Sequence, residues 1–289
     1  MPNTTRKTIL VTGATGHQGG AVARTLLQRG HNVRALTRKS RSPAANALAQ
    51  NGAKIVEGTL EDRDSLAQAS EGADAIFLVT TPFESGMDAE ISQGRNAVDA
   101  AKSAGIAHVV FSSVIAADRN TRVPHFDSKW AIEQHLASSG LPHAILGPSF
   151  FLTNLLTPDS LGALKNGVYA SPLPQNLRTP HTALEDIAGM AALALEDPDR
   201  IRNRRVDIVS DQLRGDEAAA ILSGVLGRPV IYSEVPLENL PADLAKMFRW
   251  FAENKPEIDL AALRGEFPDV GWHSFEDWTR KQDWQSLLG

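Results

Sequence analysis

The feature that most constrains this chain is a glycine turn wedged between an apolar run and an amphipathic one: Val11-Thr12-Gly13-Ala14-Thr15-Gly16-His17-Gln18-Gly19-Gly20. Before it, Thr8-Ile9-Leu10-Val11 reads as a strand; after it, Ala21, Val22, Leu26 and Leu27 read as the inner face of a helix. Glycines at 13, 16 and 19 let the backbone come close to a ligand. The helix that the turn opens offers free N–H groups and a dipole that favour an anion. The physical reading is a strand, a turn and a helix that hold a pyrophosphate. Because the spacing is G-x-x-G-x-x-G, the context has to carry the argument.

That context repeats along the first half of the chain. Short apolar runs at 8–11, 32–36, 54–56, 75–79, 109–111 and 144–146 alternate with helical stretches at 20–29, 43–50, 62–69, 88–104 and 128–138. Such alternation demands right-handed crossovers and a parallel sheet covered on both faces. Gly30, Gly105 and Gly140 follow three of the helical patterns as C-terminal stops. After Gly147, prolines at 148, 158, 172, 174 and 180 break the pattern, before a helix at 184–195, a strand at 205–209 and a helix at 216–226. The expected class is α/β, a Rossmann-type doubly wound parallel sheet over 1–150 that also receives segments near 178–210. A smaller, partly helical substrate domain, itself discontinuous, is expected over 151–289. Doubly wound sheets bind ligands at the carboxyl ends of their strands, so a substrate is expected between the two parts.

Composition removes several alternatives. The 289 residues include no cysteine, which excludes a disulfide framework, a thiolate metal site and a cysteine nucleophile. The histidines show no metal-ligand spacing with nearby carboxylates, so no metal is expected. A net charge of −5 argues against a nucleic-acid surface. No apolar run approaches the roughly 18 residues of a membrane span and no targeting segment is visible, so the expectation is a cytoplasmic protein with no membrane partner. The cluster Arg200, Arg202, Arg204 and Arg205 reads as a solvated loop.

The end of the second strand speaks to the cofactor. A free ribose 2′-hydroxyl asks for an acidic residue about 20 residues after the glycines. Here the chain carries Thr37, Arg38 and Lys39, with Arg41 close by. Arginine pairs with a 2′-phosphate through charge-assisted hydrogen bonds, which points to NADP(H) over NAD(H).

The fifth strand, Val110-Phe111-Ser112-Ser113, and the stretch Pro124-His125-Phe126-Asp127-Ser128-Lys129-Trp130 resemble the short-chain dehydrogenase/reductase superfamily. Its catalytic set is a serine after this strand and a Tyr-x-x-x-Lys on the next helix. The lysine there binds the nicotinamide ribose and lowers the tyrosine pKa, and the tyrosine protonates the oxygen that gains charge as hydride arrives. By that resemblance Lys129 matches the lysine and Ser112 or Ser113 the serine. His125 stands at the tyrosine position, and a histidine can deliver a proton near neutral pH.

Residues 11–19, His125-Phe126-Asp127-Ser128-Lys129 and Pro148-Ser149-Phe150-Phe151-Leu152-Thr153-Asn154 are similar, more narrowly, to the NmrA-like family, including its HSCARG-type redox sensors and atypical reductases. Weaker matches are Gly58-Thr59-Leu60-Glu61-Asp62, Phe77-Leu78-Val79-Thr80 and Ser274-Phe275-Glu276-Asp277-Trp278. Two positions depart from the family pattern: Thr59 stands for an aspartate near the adenine, and Gly147 for an arginine before Pro148. The resemblance implies that Gly13, Thr15, Gly16, His17, Gln18, Gly19, Arg38, Lys39, Thr80, Lys129, Phe150 and Asn154 contact NADP(H). It implies that Lys129, His125 and Ser113 carry any catalysis. Two functions follow: an NADPH-dependent reductase of a small apolar or aromatic substrate such as a quinone or enone, or a non-catalytic NADP(H) sensor that regulates a protein partner. The expected state is a monomer or homodimer.

Overall fold

The computed structural model describes residues 6–289. The chain divides into two compact units, Met1–Gly147 with Ile187–Asp207 and Pro148–Asp186 with Ile208–Gly289.

In the first unit, strands Thr8–Val11 (β1), Asn32–Thr37 (β2), Lys54–Glu57 (β3), Ala75–Val79 (β4), His108–Ser112 (β5) and His143–Pro148 (β6) form a sheet in the order β6-β5-β4-β1-β2-β3. The neighbouring pairs among these six strands are all parallel, and the strand Arg204–Ile208 lies beside β6 as the seventh member. Between the strands run helices His17–Gln28 (α1), Pro43–Gln50 (α2), Arg63–Ser70 (α3), Met87–Ser103 (α4) and Pro124–Ser138 (α5). This is the doubly wound Rossmann-type arrangement, with the strand order reversing between β1 and β4. Helices cover both faces of the central strands, so β5 and β6 are buried at every position, while the edge strand β3 is half-buried at Ile55 and Val56 and exposed at both ends. Leu10, Ile76, Leu78, Phe111 and Ile132 make one core between sheet and helices.

Two helices begin earlier than their apolar pattern. α1 starts at His17 and α5 at Pro124. Glycines in the first turn of α1 carry no side chain to reveal the period. Proline at the first helical position is preorganised for the helix without adding to its apolar stripe. The early start of α5 places His125 and Lys129 one turn apart on the same helix.

The arginine cluster does not behave as a single solvated loop. Arg205 is largely buried, its guanidinium bonded to Glu133 of α5, to the Val114 carbonyl and to Asp207 at 2.9 Å, with Asp118 at 3.5 Å. It belongs to the seventh strand, so its side chain points across β6 toward α5 instead of into a turn. Arg202 does keep the solvated role, paired with Asp199.

The second unit holds a three-stranded sheet (Phe150–Phe151, Thr179–Thr182, Asp211–Leu213) and a parallel pair (Val168–Ser171 with Ile231–Glu234). Its core gathers Leu152, Leu222, Phe275 and Trp278. The fully buried Asp186 organises its polar interior, accepting from Ser210 Oγ, from the backbone N–H of His273 at 3.1 Å and bonding His273 Nδ1 at 2.6 Å.

His108, the first residue of β5, is 2% exposed. Burial, reinforced by the Lys7 charge, pushes its pKa down to about 4. The buried His181 of the second unit is likewise pushed down to about 4 by burial. Both rings are neutral in the fold and gain a proton freely only in the unfolded chain. Their contribution to stability is therefore present above pH 6.5 and lost as pH falls toward 4. A drop from 6.5 to about 4 is worth at most about 3 kcal/mol per ring. The thermal midpoint should fall steeply across that window, and a His108→Leu variant should fall less steeply than the wild type. Parallel pH profiles of the two proteins would show that His108 does not carry the effect.

Candidate functional site

The glycine turn closes on itself. Gly16 N–H donates to the Gly13 carbonyl at 2.9 Å, and Gly13 adopts φ +56, which favours glycine. Gly19 is where α1 sits down on the turn: a Cβ there would lie 2.3 Å from the Gly13 carbonyl oxygen and 2.6 Å from that of Thr12. No side chain can be accommodated without moving backbone. Gly16, the N-cap of α1, supplies no side-chain cap, and the first turn carries no acidic residue. In contrast, Ser42 caps α2 and Asp62 caps α3, while α4 and α5, which also lack a side-chain cap, carry acidic residues in their first turns. The N–H groups that open α1 are thus left for an external acceptor, as an anion site requires. The cradle fits a diphosphate on these grounds.

Side chains stitch the strand ends around this turn. Thr12 Oγ1 donates to the Val79 carbonyl at 3.0 Å and accepts from the Val79 N–H at 2.8 Å, joining β1 to β4. Thr15 and Thr37 hydroxyls lie 3.5 Å apart, which brings the turn to the end of β2, and Thr37 Oγ1 in turn accepts from the Lys39 N–H at 3.2 Å. Ser112 donates to Gln18 Oε1 at 2.7 Å, linking β5 to α1. Arg38 extends into solvent beyond β2, where Nη2 meets Glu84 at 2.6 Å; both side chains are more than half exposed. His17 follows the last turn residue as the first residue of α1.

At the other end of this row of strands, the α5 residues meet the loop after β4. Lys129 is 7% exposed; its Nζ donates to the Thr80 carbonyl at 2.7 Å and Thr80 Oγ1 at 3.0 Å, pairs with Glu90 at 2.8 Å, and lies 5.6 Å from the Phe111 ring centroid. Burial pushes the lysine pKa down, and Glu90 opposes that shift. The His125 ring, 8% exposed, packs edge-on against Phe126 at 4.8 Å and tilted against Phe83 at 5.8 Å. Phe83 itself is 72% exposed. Ser113 donates its hydroxyl proton to Glu133, whose carboxyl pKa burial pushes up and Arg205 pulls down.

The first unit places Gly13, Thr15, Gly16, His17, Gln18, Gly19, Arg38, Lys39, Thr80, Ser113, His125 and Lys129 at strand ends and helix starts, in separate contact groups: Thr15 with Thr37 and Lys39, Gln18 with Ser112, Thr80 with Lys129, and Ser113 with Glu133. Phe150 and Asn154 belong to the second unit. There Phe150 stacks parallel on Phe248 at 5.5 Å and packs on Phe251 at 4.7 Å, and the Asn154 carbonyl accepts from Thr157 Oγ1 at 3.0 Å. Gly147 is explained by its neighbours: a Cβ would lie 2.3 Å from Asp207 and 2.7 Å from Arg205, so the guanidinium of Arg205 fills the space beside it. Sequence reasoning missed Glu90, Glu133 and Arg205. One signal was present for Glu90: it shares a helical stripe with the small residues Gly94, Ala97 and Ala101, where a carboxylate has no packing reason to be.

A doubly wound sheet with a glycine turn at the point where strand order reverses defines a Rossmann-type protein. The chain belongs to the NmrA-like family, whose model matches residues 5–278. An NAD(P)H azoreductase of Xenophilus azovorans is 32% identical over 91% of this chain and 92% of its own. Among solved structures, the negative transcriptional regulator NmrA in complex with NADP superimposes with a TM-score of 0.79 at 22% identity, over 97% of this chain and 99% of its own. The NADPH-dependent quinone oxidoreductase QOR2 of Escherichia coli, complexed with NADPH, gives the same TM-score at 23% identity, over 94% of this chain and 98% of its own. A regulator and a reductase match equally well, so the fold alone does not choose between them.

The turn makes a direct prediction. Gly19→Ala must push α1 off the Gly13 carbonyl, and dinucleotide affinity measured by calorimetry should fall at least about tenfold, roughly 1.4 kcal/mol. Unchanged affinity in a folded variant would mean that the N-terminus of α1 is not the diphosphate site.

Proposed function

We propose that the chain is an NADP(H)-dependent reductase of a small apolar or aromatic acceptor of the quinone or enone type. The observation that carries the reading is the uncapped start of α1, pressed against the glycine turn and flanked by Arg38 and Lys39 at the end of β2. Family membership and the azoreductase relative support the step from binding to reduction.

In this reading the first-turn N–H groups of α1 hold the diphosphate, and Arg38 with Lys39 holds the 2′-phosphate through charge-assisted bonds. Thr80 and Lys129 face the nicotinamide end. NADPH, when bound, supplies the hydride. The chain supplies a fixed cation at Lys129 Nζ, and the His125 ring gives a proton to the oxygen that becomes negative.

A second reading, a non-catalytic NADP(H) sensor acting on a protein partner, is favoured by one observation. Every N–H of Lys129 is spent on Thr80 and Glu90, and the Ser113 hydroxyl donates to Glu133, so neither group has a proton left over for a substrate.

Calorimetric titration with NADP, NADPH and NAD, followed by NADPH-oxidation assays against quinones, enones and azo dyes, separates the readings. Turnover with any acceptor supports the reductase; tight NADPH binding without turnover across the panel supports the sensor. Arg38→Ala should weaken NADP at least about tenfold, the worth of a lost charge-assisted bond, and leave NAD nearly unchanged. An equal loss for both would overturn the 2′-phosphate assignment.

A further inference from the structure

Glu90 is a buried carboxylate that the proposed chemistry does not use. It stands near the start of α4 and is fully buried. Its Oε1 accepts from Thr80 Oγ1 at 2.9 Å and pairs with Lys129 Nζ at 2.8 Å, while Oε2 accepts from Ser128 Oγ. Lys129 gives its other two protons to Thr80, to the carbonyl at 2.7 Å and to the hydroxyl at 3.0 Å. The circuit is closed: each donor and each acceptor oxygen has a partner. Packing does not ask for a carboxylate here, because the residues on the same stripe of α4 are Gly94, Ala97 and Ala101. Two apolar side chains of similar volume would fill the space without the desolvation that a buried ion pair carries.

We propose that Glu90 is the positioning residue for Lys129: it keeps the ammonium charged in a desolvated site and holds Nζ against Thr80, so that Lys129 meets the cofactor as a fixed cation. This rests on the reading that Lys129 faces the nicotinamide end. Burial by itself drives the lysine toward the neutral amine, and two carboxylates oppose it: Glu90 from α4 and, more weakly, Glu133 from the next turn of α5. Glu133 is already engaged by Arg205 and Ser113, and so does not take over the pairing. From β5 the Phe111 ring, and on α5 itself Ser128, present no charge. Removing the Glu90 charge therefore leaves Lys129 with a distant, shared counter-ion and a full desolvation cost. Its proton affinity must drop.

The test reads Lys129 directly in cofactor-free protein. The 13C resonance of its Cε, assigned by its loss in Lys129→Met, is titrated against pH in wild type and variants. In Glu90→Gln the midpoint should fall by at least about one pH unit, as expected when a buried cation loses its counter-charge. Glu90→Asp, which keeps the charge on a shorter arm, should lie between the two. Ser128→Ala, which removes a donor to Glu90 without altering charge, should leave the midpoint in place. Calorimetry on Glu90→Gln should then show NADPH affinity declining as pH rises through the new midpoint, where wild type stays flat. An unchanged midpoint in folded Glu90→Gln overturns the proposal. Should that variant fail to fold, an unchanged midpoint in Glu90→Met, which removes the charge with an apolar side chain of similar volume, does so. Lys129→Met judges the underlying reading separately: if it leaves NADPH affinity and turnover intact, Lys129 does not serve the cofactor, whatever Glu90 does to its proton.

Discussion

The whole cofactor end of the molecule depends on how closely α1 approaches the strand that precedes it. With Gly19 seated on the Gly13 carbonyl, the axis of α1 aims its uncapped N–H groups at the point where the order of strands reverses. That approach leaves no room for even a methyl group. It also explains why β1 is buried from Ile9 to Val11, because a central strand must be covered by helices on both faces if its end is to be a fixed platform. Thr12, bridging to Val79 in both directions, locks the platform to β4.

Around this platform the chain has placed charge where a core would ordinarily be apolar. Glu90 with Lys129 and Glu133 with Arg205 are two largely buried ion pairs attached to the same helix, α5, one turn apart. Such pairs are rarely net stabilisers, since desolvation consumes most of the Coulomb gain. What they do is fix orientation. The Glu133 pair clamps α5 to the seventh strand, and the Glu90 pair clamps it to α4 and to the loop after β4. The face of α5 that carries His125 and Lys129 is thereby held from both sides, which is what proton or charge delivery to a bound ligand would need.

Much of this site was legible from residues alone. The glycine turn, Arg38 and Lys39, and the Lys129 motif are local signals: each suggests its chemistry within a few residues of chain. Glu90, Glu133 and Arg205 were not legible in that way. Arg205 sits in a run of arginines that reads as a solvated turn, and only the pairing of its strand with β6 shows that the side chain points inward toward Glu133. Ser113 is a similar case: its position after β5 suggests a catalytic hydroxyl, while its bond to Glu133, twenty residues away, depends on where α5 lies. The departure at Gly147 becomes intelligible for the same reason, because Arg205, distant in sequence, occupies the space beside it.

By itself the sequence determined the alternation of strands and helices, and with it the doubly wound sheet, because hydrophobic period and glycine stops act over one or two turns of chain. It also determined the glycine cradle and the basic end of β2. Only the tertiary structure decided the partners of the polar groups: that Lys129 spends its protons on Thr80 and Glu90, that Ser112 turns to Gln18, and that Asp186 anchors His273 across the second unit. The physical reason is one of range. Backbone propensity is settled among near neighbours, whereas a buried charge or hydroxyl takes whichever partner the packing of distant segments brings within about 3 Å.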